Sequence, residues 1–147
     1  LIAGAHAESA ITAAVLVDIG MLLMMKTDPD YPRLVEEAQR RRVELHRLEQ
    51  EHYGFTHAML GARLLHEWNL PATTVEAVAY SHTPYPRIRR NHSPRMMLYV
   101  ASELIQASEL GRPATMDPAW VAAKGIESAV VEWADALPDS EMMAIAG

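Results

Sequence analysis

Apolar residues recur along most of this chain at intervals of three and four, the spacing of amphipathic helices. Pro and Gly separate these periodic segments from one another. No segment shows the strict alternation of apolar and polar residues that is typical of a half-buried strand, and only seven glycines are present to serve turns. The pattern predicts an all-α protein.

Local signals set the expected helix ends. Asp30 can cap a helix that has Pro32 in its first turn, Gly54 is a plausible helix terminator, and Pro71 is suited to a first turn. A break is expected near Gly20, and residues 83–86 read as a loop. Together these signals predict helices over about 8–18, 32–41, 43–53, 56–68, 71–82 and 94–110, with one or two short helices within 118–137.

Length and composition limit the function. The 147 residues suit a single domain, 1–147, which can form a core without disulfides or a structural metal. The absence of cysteine excludes thiolate zinc sites and cysteine nucleophiles. The net charge of −6 weighs against nonspecific nucleic-acid binding, because phosphate contacts require a basic surface. Because Leu1 already lies inside an apolar segment, we expect a fragment of a longer protein.

The most apolar stretch, residues 10–25, is short for a membrane span. A span needs about 20 apolar residues, and this one carries Asp18 and Gly20 near its middle. No Lys or Arg precedes it, as a signal peptide would require. We therefore expect no membrane partner and a cytoplasmic location.

Three polar residues occupy apolar helix faces. His57 heads the stripe that continues through Leu60, Leu64 and Trp68, with Trp68 as a core anchor and Gly61 permitting close helix approach. His82 and Asp18 each follow apolar residues by three, four and seven positions, so both are expected to face inward. A buried carboxylate needs a partner, a hydrogen bond or a metal. A single inward histidine is commonly just a satisfied core residue, so a shared cluster and separate core residues both remain open.

Other polar residues are expected at the surface. His46, His52 and His66 lie on or near charged helices and are expected to be exposed. A small basic patch follows the proline-rich loop and could bind phosphate or a nucleotide, although a solvated surface is the commoner role for such a run. The patch comprises Arg87, Arg89, Arg90 and Arg95.

The motif at 54–62, followed by Leu64, Leu65 and the Trp-Asn-Leu-Pro of 68–71, closely resembles the HDOD domain. That domain is an output module of bacterial signalling proteins, related to the HD superfamily of metal-dependent phosphohydrolases. The resemblance covers about 2–107, and 112–147 stays unassigned. It implies an orthogonal helical bundle of the HD/HDOD type that lacks its N-terminal helices.

The functional expectation rests on the positions where this sequence departs from the HD pattern. Val17 stands where the resemblance places the His of the His-Asp pair, Ser81 where it places the first of two histidines, and Ser102 near the late Asp. The residual HD positions are then Asp18, His57 and His82. The resemblance therefore implies no catalysis, no bound metal or other cofactor, and a hydrogen-bonded remnant of a metal centre.

The implied function is a non-catalytic regulatory or output domain that acts through contacts with other signalling proteins or an attached receiver or sensor domain. The alternative is a metal-dependent phosphohydrolase or cyclic-nucleotide phosphodiesterase with an altered HD site. A third possibility is a nucleotide or RNA sensor that uses the arginine patch.

Overall fold

A computed structural model of the chain describes residues 4–83 and 93–136, and the side chains from Glu8 onward within these ranges. The described residues form α-helices joined by turns and contain no strand, which confirms the all-α prediction. The helices are α1 (Gly4–Leu16), α2 (Ile19–Thr27), α3 (Tyr31–Arg41), α4 (Leu45–Tyr53), α5 (His57–Glu67), α6 (Ala72–Ala79), α7 (Pro94–Glu109), α8 (Pro118–Lys124) and α9 (Glu127–Asp135).

The predicted break in the first helical segment occurs at Val17 and Asp18, slightly before Gly20. Gly20 lies inside α2, at a crossing with α5 where the two backbones nearly touch. A Cβ atom on Gly20 would lie 1.9 Å from the carbonyl oxygen of His57 and 2.8 Å from the backbone nitrogen of Gly61. The prediction that Gly61 allows another helix to approach is confirmed. On the α2 side of the crossing, Gly20 likewise has no side chain.

Most helix ends follow the sequence signals. The Thr56 hydroxyl accepts a hydrogen bond from the backbone N–H of Met59 at the start of α5, and Gly54 ends α4 with φ +77°. Pro32 lies in the first turn of α3 as predicted. Asp30 precedes that helix but makes no side-chain cap, because its carboxylate is bound to Arg33 instead.

The core consists of two apolar clusters that share α7. One joins α1, α5, α6 and α7 through Ala13, Ala62, Leu65, Ala77, Val78 and Leu98. The other joins α7 to the residues that follow it, through Met96, Tyr99, Val100, Leu104, Met116 and Ile126. Helix α7 therefore connects the two halves of the described structure.

Two packing predictions were wrong. The expected buried face of α1 is turned to solvent, with Val15 78% exposed, because Ala13 instead packs against α6 and α7. Trp68 is 54% exposed rather than a core anchor. Helix α5 ends at Glu67, and the fully buried Leu65 occupies the core position there.

The segment Glu8–Thr27 has the length and composition of a membrane span. In the structure it forms two helices with a turn at Val17 and Asp18 between them. Helix α1 packs against α6 and α7, and α2 packs against α5. Only 17% of its most apolar stretch is buried, so most of the segment lies outside the core.

Candidate functional site: a buried histidine pair

His57 and His82 lie together inside the helical bundle. His57 is the first residue of α5 and is 3% exposed, and His82 lies in the turn that follows α6. Their Nε2 atoms are 3.0 Å apart, a hydrogen-bond distance, and the rings meet edge to face. Both histidines face inward, as the apolar spacing predicted, although α6 ends at Ala79 rather than at His82.

A buried carboxylate, Glu49 of α4, holds the other side of His57. Its Oε2 atom is 2.7 Å from His57 Nδ1 and accepts the backbone N–H of the same residue at 2.9 Å. The Tyr31 hydroxyl donates to Oε1. Burial raises the pKa of Glu49, but the hydrogen bonds from His57 and Tyr31 outweigh it, so the net pKa is lowered. Glu49 is therefore an ionised group with no solvent exposure.

Sequence motifs missed Glu49, although a signal was present. Glu49 follows Leu45 by four positions and the buried Leu48 by one, so it lies on the apolar face of α4. The spacing is weaker than that of His82, because the residues three and seven positions before Glu49 are His46 and Arg42.

Gln106 of α7 completes the group from the opposite side. Its Nε2 atom is 2.9 Å from His82 Nδ1. An amide nitrogen is only a donor, so this orientation of the Gln106 amide assigns the acceptor role to His82 Nδ1 and the proton to His82 Nε2. That proton points to His57 Nε2, and the remaining proton of His57 is on Nδ1, facing Glu49. All four ring nitrogens are thereby engaged within the protein.

His46 extends the group toward the surface. Its ring stacks on that of His82 with centroids 4.5 Å apart and an interplanar angle of 8°. Burial, followed by the neighbouring histidines, lowers the pKa of His82 to about 2. Burial also lowers the pKa of His46. The prediction that His46 is exposed was wrong, because α4 turns it toward the histidine pair, whereas His52 and His66 are exposed as predicted.

Asp18 lies at the rim of this group, not inside it. Its Oδ1 atom is 3.9 Å from His57 Nε2, and its side chain is 66% exposed. The inward position predicted for Asp18 was wrong, because the chain leaves the helical path at that residue and the carboxylate stays in solvent. Partial burial and the nearby charge of Asp18 raise the pKa of Glu109. The rim is therefore acidic.

These residues do not form the kind of metal site that the resemblance to the HD superfamily suggests. Val17 packs against the apolar core. Ser81 is fully buried, and its hydroxyl has no hydrogen-bond partner among the described residues. The described part of the chain contains no group of three or more His, Cys, Asp or Glu arranged to hold a metal ion. With both histidine lone pairs already accepting hydrogen bonds, Asp18 is the remaining donor, and one carboxylate does not make a metal site.

An open cleft of about 720 Å³ adjoins the histidine group. His46 and His82 line it together with Arg47 and Gln50 of α4, Met59 of α5, and Tyr80, which follows α6. The cleft gives solvent a route to the edge of the stacked rings, while His57 and Glu49 stay behind them.

The proposed arginine patch is described only in part. Arg87, Arg89 and Arg90 lie outside the described residues. Arg95 is the second residue of α7, and its guanidinium binds Glu76 of α6 at 3.2 Å and stacks over the Tyr80 ring at 3.7 Å. Arg95 therefore contributes to packing between α6 and α7.

Comparison with known proteins gives one match. The family model of the HDOD domain matches residues 2–84, more than half of the 147-residue chain. No curated protein and no solved structure matches the chain. The match includes Glu49 and both histidines of the pair, and it ends before Gln106. The chain belongs to the HDOD domain family.

Proposed function

We propose that this protein is a non-catalytic regulatory or output domain of bacterial signal transduction. One observation carries the proposal: every ring nitrogen of the histidine pair has a hydrogen-bond partner within the protein, in a series that runs from Gln106 through His82 and His57 to Glu49. Metal-assisted phosphoester hydrolysis needs open ligand positions and an activated water. A histidine pair with all four nitrogens hydrogen-bonded internally offers neither.

The domain would act by contact with another protein. Exposed apolar side chains on α1 and α2 support this mode of action, since Ile11, Val15 and Leu22 are each more than 60% exposed. The expected partners are cytoplasmic signalling proteins or an attached receiver or sensor domain, whose conformational change alters the contact.

A first experiment tests the absence of catalysis. Purified full-length protein is assayed for bound iron, manganese and zinc, and for phosphodiesterase turnover with each added ion. We expect no stoichiometric metal and no turnover above that of the His57→Ala variant, with His66→Ala as an exposed control. Stoichiometric metal together with turnover that His57→Ala abolishes would refute the proposal.

A second experiment compares the rim of the site with the apolar surface. A strain lacking the gene is complemented with Asp18→Asn or with Val15→Glu, both at exposed positions. An output domain predicts that Asp18→Asn complements and that Val15→Glu does not. The opposite pattern would indicate a chemical role for the acidic rim.

The alternative, an altered phosphohydrolase, has one observation in its favour. Glu49 binds His57 Nδ1 and leaves Nε2 directed toward Asp18 and His82. Carboxylates commonly orient metal-bound histidines in this way. The metal and turnover assays decide between the two functions.

A further inference from the structure

We propose that Gln106 is the positioning residue that keeps the histidine pair from binding a metal, by selecting the tautomer of His82. The inference rests on the proposed function, since it explains how the same site stays closed. Gln106 lies on α7, outside the residues that match the family model. It touches His82 and acts on His57 only through that ring.

Distance alone does not prevent metal binding. Two histidine nitrogens on a tetrahedral zinc ion, each about 2.1 Å from it, lie about 3.4 Å apart. The Nε2 atoms of His57 and His82 are 3.0 Å apart, close to that separation. Asp18 is nearby, with Oδ1 3.9 Å from His57 Nε2. The two nitrogens therefore lie at nearly the separation that a single ion requires, with Asp18 at the rim.

The proton between the two rings prevents metal binding. A metal needs a bare nitrogen, and neutral imidazole has one bare and one protonated nitrogen. Glu49 holds the His57 proton on Nδ1, which leaves His57 Nε2 bare. The Gln106 amide N–H occupies the bare Nδ1 of His82 and so places the His82 proton on Nε2, where it points at His57. One amide thereby blocks both potential ligands.

A carboxylate at position 106 should move the His82 proton from Nε2 to Nδ1. It would accept a proton from His82 Nδ1, as Glu49 accepts one from His57 Nδ1, and the Nε2 atoms of both rings would be bare. Each histidine would then have a carboxylate behind it, an arrangement that typically changes metal affinity by about 10- to 100-fold. Gln106→Glu differs from the natural residue by a single polar group and keeps its length.

The first test uses the unmodified protein. Nitrogen-15 NMR of the imidazole rings at pH 7.5 distinguishes protonated from bare ring nitrogens. We expect His57 to carry its proton on Nδ1 and His82 to carry its proton on Nε2. A proton on His82 Nδ1, or two protons on His57, overturns the proposal without reference to any variant.

The second test measures Zn²⁺ binding by titration calorimetry. We expect Gln106→Glu to bind Zn²⁺ about 10- to 100-fold more tightly than the unmodified protein. Gln39→Glu adds the same charge at an exposed position of α3 and should leave the affinity unchanged. Equal affinity in Gln106→Glu and the unmodified protein contradicts the proposal, and if Gln106→Glu does not fold, the NMR result decides.

The two proposals fail in different ways. Stoichiometric metal with turnover in the unmodified protein would end the non-catalytic assignment. An unmodified protein without metal or turnover, but with the wrong tautomers, would leave that assignment standing and remove the role of Gln106.

Discussion

The crossing of α2 and α5 predicts a large effect of a single methyl group. In Gly20→Ala, the new Cβ would lie 1.9 Å from the carbonyl oxygen of His57, closer than such atoms approach in proteins. The obstacle is backbone, so no rotamer change relieves it. The two helices must separate by about 1 Å to reach 3.0 Å, the lower limit of real Cβ contacts.

The expected loss of stability follows from this displacement. Overpacking of a filled core costs about 1–3 kcal/mol, and a backbone obstacle belongs at the upper end. The better helix propensity of alanine returns up to about 1 kcal/mol. We therefore expect a net loss of about 2–3 kcal/mol in the free energy of unfolding, or a fall in Tm of about 4–12 °C.

Urea unfolding followed by circular dichroism measures this loss, with two control variants. A Cβ on Gly61 would meet Ile19 Cγ2 at 3.1 Å and the backbone nitrogen of Gly20 at 3.2 Å, contacts that a shift of a few tenths of an ångström relieves. Gly61→Ala should therefore lose about 1 kcal/mol in the free energy of unfolding, less than Gly20→Ala. Gly54 has open space but φ +77°, so Gly54→Ala should lose about 1 kcal/mol from backbone strain alone. A Gly20→Ala protein as stable as the unmodified one, or more stable than Gly61→Ala, would refute the reasoning.

Three further variants test other features. Arg112 binds Glu44 and Glu103 in a half-buried network, so Arg112→Met should lower the free energy of unfolding, measured with urea, by about 2–4 kcal/mol. Arg33 forms an exposed ion pair, so Arg33→Met should lower it by less than about 0.5 kcal/mol. Comparable losses in the two would contradict this. The unfolded chain protonates His82 near pH 6.5 but the folded chain does not, since its pKa is lowered to about 2. The free energy of unfolding is therefore at its full value above pH 6.5 and should fall below pH 6.5 by up to about 1.4 kcal/mol per pH unit. His82→Gln should reduce this slope, and an unchanged slope in that variant would contradict the assignment to His82. The exposed Trp68 predicts a loss below about 1.5 kcal/mol for Trp68→Ala, and a loss of 3 kcal/mol or more, typical of a core tryptophan, would restore the core-anchor interpretation.

Apolar spacing predicted most of the helices and both histidines because burial imposes its period on the sequence. It did not predict α2 (Ile19–Thr27), where apolar residues run without a polar face. It failed along α1, where the face that carries Ile11 and Val15 is exposed, and at two helix ends. The inward position of Asp18 assumed that α1 continues to that residue, and that of Trp68 assumed that α5 does. Each residue lies just beyond a helix end, where the phase of the helix no longer fixes the direction of a side chain.

The polar partners were harder to predict for a different reason. Glu49 and Gln106 reach the histidine pair from α4 and α7, which are far apart along the chain. Periodicity assigns a residue to a face of its own helix, and for Glu49 even that face is poorly marked, since Leu45 is apolar but His46 and Arg42 are not. It does not show which helix that face meets, so neither the pairing of Glu49 with His57 nor that of Gln106 with His82 follows from the sequence alone.

The contacts of α7 show how far the folding unit extends. The family match ends at residue 84, yet Gln106 supplies a hydrogen bond to His82, and Arg112 reaches back to Glu44 beside His46. Helix α7 also covers α1 and α6 through Leu98 of the first core cluster. A chain without α7 would leave the Nδ1 atom of His82 and an apolar surface uncovered, and buried polar groups without partners cost about 1–3 kcal/mol each. The smallest unit that can hold the histidine pair in its observed state therefore includes α7.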